Sequence, residues 1–277
     1  MSDIKHMKPI SDEEKRELSE HLSKALIPLQ KTCATLREVV LKSSFAELEE
    51  ALLSLGKIAQ NLLKPKISDE ELKKRISAYE AWGNYGWVEP PDSPPHLFLS
   101  IPDNQETANS IVMQYCKPHN TEEIFAELEN QKHVRKSDLR EAKFCFDNKK
   151  YKSCAMLLFA MTDARLIRLF DKIEKKRRPS GKAAAKQIID HILLEYSEVN
   201  GLSIYLRLHG LLKCTNCVWA FGDDFRMQPS TINRNYILHG MRWKNVTRTE
   251  CIQALLLYYE LIVILDTLHV KKISMPS

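Results

Sequence analysis

The residues best placed to do chemistry lie together in Asn233-Arg234-Asn235-Tyr236-Ile237-Leu238-His239-Gly240. Arg234 and His239 are five positions apart, with the polar Asn235 directly after the arginine. If residues 231–239 form a short helix, five steps turn by about 500°, which leaves the two side chains roughly 140° apart and one and a half turns along the axis. A permanent cation and a titratable imidazole then occupy neighbouring faces. Arginine grips phosphate with a two-pronged fork, and histidine exchanges protons near neutral pH. Together they suit reaction at a phosphodiester.

Elements must hold that pair in place, and the composition favours helices. Hydrophobic residues make up 44% of the 277-residue chain, enough for a substantial core, and only eight glycines are present. Leu, Lys, Glu and Ala dominate, which favours helix over a turn-rich β fold. The pattern predicts an all-α chain, with a helical bundle in the C-terminal half and a smaller, mostly helical region over 1–130. Capping boxes, in which a hydroxyl and a glutamate three residues on serve each other's backbone, are read at Ser11, Ser68 and Thr247, with a weaker version at Asn120. A helical apolar stripe runs through Leu48, Leu52, Leu55, Ala59 and Leu62. An aromatic and proline-rich stretch interrupts residues 80–102. Trp82 and Trp87 suggest an ordered, packed loop there, and Pro90-Pro91-Asp92-Ser93-Pro94-Pro95 cannot be helical.

In the second half the predicted helices run from Ser137 to about Phe146, Tyr151 to about Lys176, Lys182 to Tyr196, Leu202 to Ala220 and Thr247 to His269. The motif is a loop or short helix before the last of these. The final segment is apolar in nearly every direction from Leu255 to Leu265. Surplus apolar surface of that kind has to be covered, by the N-terminal half or by a second chain.

The run Arg-Asn-x-x-x-His-Gly, late in a helical segment, resembles the Arg-x4-His signature of the HEPN superfamily (higher eukaryotes and prokaryotes nucleotide-binding domains). The resemblance covers about residues 137–270 and defines a HEPN-like domain over 137–277. It implies a metal-independent endoribonuclease that cleaves RNA by attack of the substrate's own 2′-hydroxyl, in phage defence (abortive infection) or a toxin–antitoxin system. It also implies a homodimer whose two-fold axis brings two copies of Arg234 and His239 to one cleft. His239 is then the general acid or base, Arg234 the phosphate ligand, and Asn235 the residue that orients the nucleotide or the catalytic pair. The other reading is a non-catalytic helical module that docks a nucleotide, RNA or protein. Residues 1–130 match nothing in the family and suit either a sensing or an inhibitory role, with an antitoxin or sensor as partner.

Supporting residues follow from proximity. Asp163, on a long helix, can hold Arg234, or pair along its own helix with Arg165 or Lys172. Tyr236 can stack on a base or pack into the bundle. Arg242, Trp243, Lys244 and Arg248, with Arg226, combine positive charge with an aromatic, as single-stranded nucleic acid surfaces do. A second basic cluster spans Lys172 to Lys186.

No metal or cofactor is expected. Cys214-Thr215-Asn216-Cys217 is one pair without a second at zinc spacing, even with His209 near. Asp223-Asp224 is an ordinary acidic pair, and no glycine-rich phosphate loop occurs. A net charge of +5 is compatible with an RNA partner. Seven irregularly placed cysteines and an N-terminus without an apolar leader point to a reduced, cytoplasmic setting. Ala254 to Leu265 is too short to cross a bilayer and contains Glu260.

Overall fold

The last helix of the chain is buried on nearly all sides, and the other elements are arranged to cover it. In the computed structural model, which describes residues 67–94, 96–171, 177–195, 198–220, 225–270 and 273, the described chain is all-α. In order, the helices are α1 (Asp69–Asn84), α2 (Gln105–Met113), α3 (Pro118–Asn130), α4 (Lys136–Asp147), α5 (Tyr151–Arg168), α6 (Gly181–Glu195), α7 (Glu198–Val218), α8 (Arg234–Leu238) and α9 (Arg248–Thr267), with a 3₁₀ turn at Leu97–Leu99. Among the described residues, β pairing is limited to one isolated parallel bridge between Phe170 and Ile273. None of the described helices is long and apolar enough to cross a membrane.

The predicted start of α9 is present in full. The Thr247 hydroxyl accepts from the Glu250 N–H at 3.2 Å, and Glu250 Oε2 accepts from the Thr247 N–H at 2.9 Å. From there fifteen of the twenty residues are buried. The surplus apolar surface read from the sequence is covered within this one chain. α3, α5 and α7 pack around α9. Polar groups from the earlier segment seal its length: Gln253 donates to the Tyr85 carbonyl at 2.9 Å, and Arg248 donates to the Cys116 carbonyl at 2.8 Å. Glu260, only 1% exposed, is held by the Arg207 guanidinium through two hydrogen bonds. A buried carboxylate of this kind requires its partner, because removing one member of such a pair strands the other.

Helices before residue 130 therefore share a core with those after 136. The compact unit begins at Ser68, well ahead of the start near 137 read from the sequence. The calls at Ser11 and over Leu48 to Leu62 lie outside the described residues, as do Lys172, Lys175 and Lys176.

α1 enters through its predicted cap, with the Ser68 hydroxyl accepting from the Glu71 N–H at 3.2 Å. It continues through Trp82 to Asn84, so only Trp87 of the two tryptophans sits in the loop. Both indoles are fully buried. Trp82 stacks on Phe98 with centroids 4.5 Å apart and donates to the Ser100 carbonyl at 2.7 Å. Trp87 donates to Asn109 Oδ1 at 2.9 Å. Two starts differ from expectation. Pro118 opens α3, so Asn120 is inside the helix rather than capping it, since proline lacks the N–H that the first turn does not need. α4 starts from Arg135 rather than Ser137.

α1 and α7 approach each other closely at two glycines. A Cβ on Gly83 would lie 2.4 Å from the Gly210 carbonyl oxygen and 2.7 Å from Lys213 Cβ. The backbone there cannot yield without parting the helices. Gly83→Ala is expected to destabilise by about 2–3 kcal/mol, lowering Tm by roughly 5–10 °C in a thermal melt followed by circular dichroism. An unchanged Tm would mean that this helix contact is looser than described.

Candidate functional site

A five-residue helix makes barely one turn and does not persist unaided. α8 persists because two asparagines tie it to the end of α7. Asn233 caps it: its Oδ1 accepts from the N–H groups of Asn235 at 2.9 Å and Tyr236 at 3.2 Å. Its amide donates to the Ala220 carbonyl at 2.9 Å. Asn235 donates to the Trp219 carbonyl at 3.1 Å and accepts from Arg234 Nη1 at 3.2 Å. Both asparagines are buried.

The far end of α8 closes as a Schellman turn. The Met241 N–H reaches the Tyr236 carbonyl at 2.9 Å and the Gly240 N–H reaches Ile237 at 3.2 Å, with Gly240 at a φ of +71°. Open space surrounds the place where a Gly240 side chain would stand, so the positive φ is what calls for glycine. His239 is the C-cap residue of this turn and is exposed. Its imidazole meets the edge of the Phe225 ring at a centroid distance of 5.9 Å and makes no side-chain hydrogen bond among the described residues.

Arg234 is anchored from α5. Its Nη2 donates to Asp163 Oδ2 at 2.7 Å and its Nε to the same oxygen at 3.2 Å. Asp163 thus serves the motif. The alternative pairing with Arg165 does not form, because Arg165 binds Asp266 at 3.2 Å. With Asn235 included, three of the five guanidinium N–H groups are engaged and one remains on each terminal nitrogen. The side chain is 25% exposed. Asn235 faces the guanidinium and the backbone, which suits holding Arg234 in place and leaves it buried away from any ligand.

Two expected RNA contacts, at Tyr236 and Arg242, are corrected. Tyr236 is buried, and its hydroxyl donates to the Met227 carbonyl at 2.6 Å, so no face of the ring is open to a base. The Arg242 side chain is 7% exposed and pairs with Glu250. Arg248 gives one N–H to the Cys116 carbonyl, lies 5.7 Å over the Phe146 ring and is half-buried, with its other N–H groups not engaged by that bond. Trp243 and Lys244 are exposed as expected, as is Arg226. Trp243 lies in a surface that the sequence reading overlooked, with Met227 and Met241 also exposed. Gln228 stitches its two strands of chain together, accepting from the Trp243 N–H at 3.2 Å and donating to the Met241 carbonyl at 3.0 Å. Asn233 was overlooked too, although an asparagine directly before a helix is itself a capping signal.

Among the described residues, no group of three or more His, Cys, Asp or Glu side chains is arranged to hold a metal. Cys214 is buried, Cys217 bonds the Asn84 carbonyl at 3.4 Å, and His209 lies 3.7 Å from Glu80. Asp223 and Asp224 lie outside the described residues. In the basic cluster, Arg178 donates to the Ile167 carbonyl and Lys186 pairs with Asp190.

Comparison with protein-family models, with curated proteins and with solved structures finds no match to the chain.

The two polar residues of the motif differ in what their loss should do. Asn235→Ala leaves a buried carbonyl and one guanidinium N–H unpaired, and is expected to cost about 1–3 kcal/mol. His239→Ala, at an exposed position, should stay within about 0.5 kcal/mol of wild type. Urea titrations of the two variants check this. Equal destabilisation by both would contradict the division into anchor and free group.

Proposed function

We propose that this chain is a metal-independent endoribonuclease of HEPN type. The observation that carries the reading is the pairing of a fixed guanidinium, with two N–H groups to spare, and an exposed imidazole at the tight end of the same short helix. In the reaction, a base takes the proton of the 2′-hydroxyl, the oxygen attacks the adjacent phosphorus, and the 5′-oxygen leaves with a proton from an acid. The products are a 2′,3′-cyclic phosphate and a free 5′-hydroxyl. Arg234 holds the phosphate and stabilises charge growing on its oxygens. His239 transfers protons.

One histidine supplies one proton-transfer group, so the reading includes a homodimer in which a two-fold axis supplies the second. α9 is no longer available as the interface, since its apolar faces are covered in the monomer. The exposed Met227, Met241 and Trp243, in the segments flanking α8, are the better candidates for contact with RNA or a second copy. A defence or toxin–antitoxin role, a cytoplasmic setting and an antitoxin or sensor partner belong to the same proposal.

One observation favours the second reading, a non-catalytic module that docks RNA, a nucleotide or a protein. Asp163 offsets the charge of Arg234 and weakens its field at a phosphate. Catalysis separates the two readings. On single-stranded RNA in EDTA, wild type should cleave and His239→Ala should be slower by about 10²–10⁴-fold. Equal rates in the two proteins, or strict dependence on added Mg²⁺ or Mn²⁺, would overturn the proposal.

A further inference from the structure

Asp163 and Arg165 are two residues apart on α5, a rotation of about 200°, so the helix that anchors Arg234 on one side carries a different group on the other. There a cavity of about 90 Å³ opens between α4, α5 and α9. That volume accommodates several waters or one tetrahedral oxyanion. His133, Arg135, Asp138, Arg165, Arg168 and Tyr258 supply its polar lining.

Donors predominate in it. The Arg165 side chain is only 10% exposed, and one of its nitrogens donates to Asp266 Oδ1 at 3.2 Å. Its Nε–H is buried without a partner. An unpaired buried donor on a cation is costly unless a ligand satisfies it. Arg168 is exposed and has no ion-pair partner among the described residues. The Tyr258 hydroxyl likewise has no hydrogen-bond partner among them. Two carboxylates offset part of this charge. Asp138 pairs with Arg135 at 3.2 Å, and Asp266, outside the lining, takes His133 at 2.8 Å as well as Arg165. The balance leaves Arg168 uncompensated and the Tyr258 hydroxyl free to donate, while the Arg165 Nε–H and Asp266 Oδ2 behind them are both buried without a partner.

We propose that this cavity is a phosphate-binding site, separate from the Arg234–His239 motif and independent of the ribonuclease reading. Arg165, Arg168 and Tyr258, from two helices, suit an oxyanion, and a phosphate offers more free oxygens and more charge to such a set than a carboxylate does. The group is either inorganic phosphate or the terminal phosphate of a small phosphomonoester.

The test is calorimetric titration of the full chain with inorganic phosphate and with adenosine 5′-monophosphate at constant ionic strength. Wild type, Arg168→Gln, Tyr258→Phe and Arg234→Ala are compared. Arg168→Gln changes an exposed side chain and Tyr258→Phe keeps the ring, so both should fold. Binding should weaken about tenfold or more in Arg168→Gln, weaken in Tyr258→Phe and persist in Arg234→Ala. Tighter binding of the monophosphate than of phosphate would mark a phosphomonoester site, and equal or weaker binding a site for the free ion. Absence of binding by either probe at millimolar concentration would overturn the proposal. So would unchanged affinity in Arg168→Gln, or loss confined to Arg234→Ala, which would place the phosphate at the motif.

Discussion

Enclosure of α9 is the constraint on which the rest of this structure depends. A helix with leucine, isoleucine and tyrosine on every face has no side that water can cover. Its burial needs α3, α5 and α7 at once, and so draws residues before 130 and after 136 into one core. The polar groups caught inside are paired in consequence, as with Glu260 and Arg207 or Gln253 and the Tyr85 carbonyl. α5 is the element through which this constraint reaches the motif. It packs on α9 and also touches α8, and it carries the carboxylate that fixes Arg234.

The motif itself is held by polar contacts rather than by apolar packing alone. Asn233 and Asn235 fasten α8 to the carbonyls that follow α7, and Asp163 fastens Arg234 to α5. The glycine after His239 turns the chain away sharply and leaves the imidazole in the open. Rigid support thus ends at Arg234, and the imidazole of His239 stays exposed at the end of the same short helix. The proposed reaction asks Arg234 to position a phosphate and His239 to move a proton.

Much of the fold was legible where local chemistry decides it. Ser68 and Thr247 announce helix starts because their side chains satisfy backbone groups a few residues away. Asn120 misled because the pattern of a cap says nothing about the proline two residues earlier that starts the helix. The apolar excess of α9 was visible, but its partner was not, because one sequence does not say whether the cover comes from the same chain. Around the site, the short helix that Arg234 opens and His239 closes was legible from the motif's position between longer helices. Arg242 was misread because nearness in sequence does not fix direction, and it turns inward to Glu250, while Tyr236, open between stacking on a base and packing, packs into the bundle. Helix geometry itself disfavours the alternative partner of Asp163. Arg165, two residues on, points to the opposite side of the helix, so that intrahelical pair was geometrically poor from the outset.

Cleavage by the substrate's own 2′-hydroxyl is the central claim for this site, and it makes a chemical demand that binding does not. The direct measurement is incubation of the full chain with a single-stranded RNA in EDTA beside the same sequence carrying one 2′-deoxy substitution at a mapped cleavage position. Cleavage should vanish at the substituted position alone and continue elsewhere with cyclic phosphate ends. Undiminished cleavage at the deoxy position, or fragments that carry 5′-phosphates, would contradict the assignment of Arg234 and His239 to this reaction.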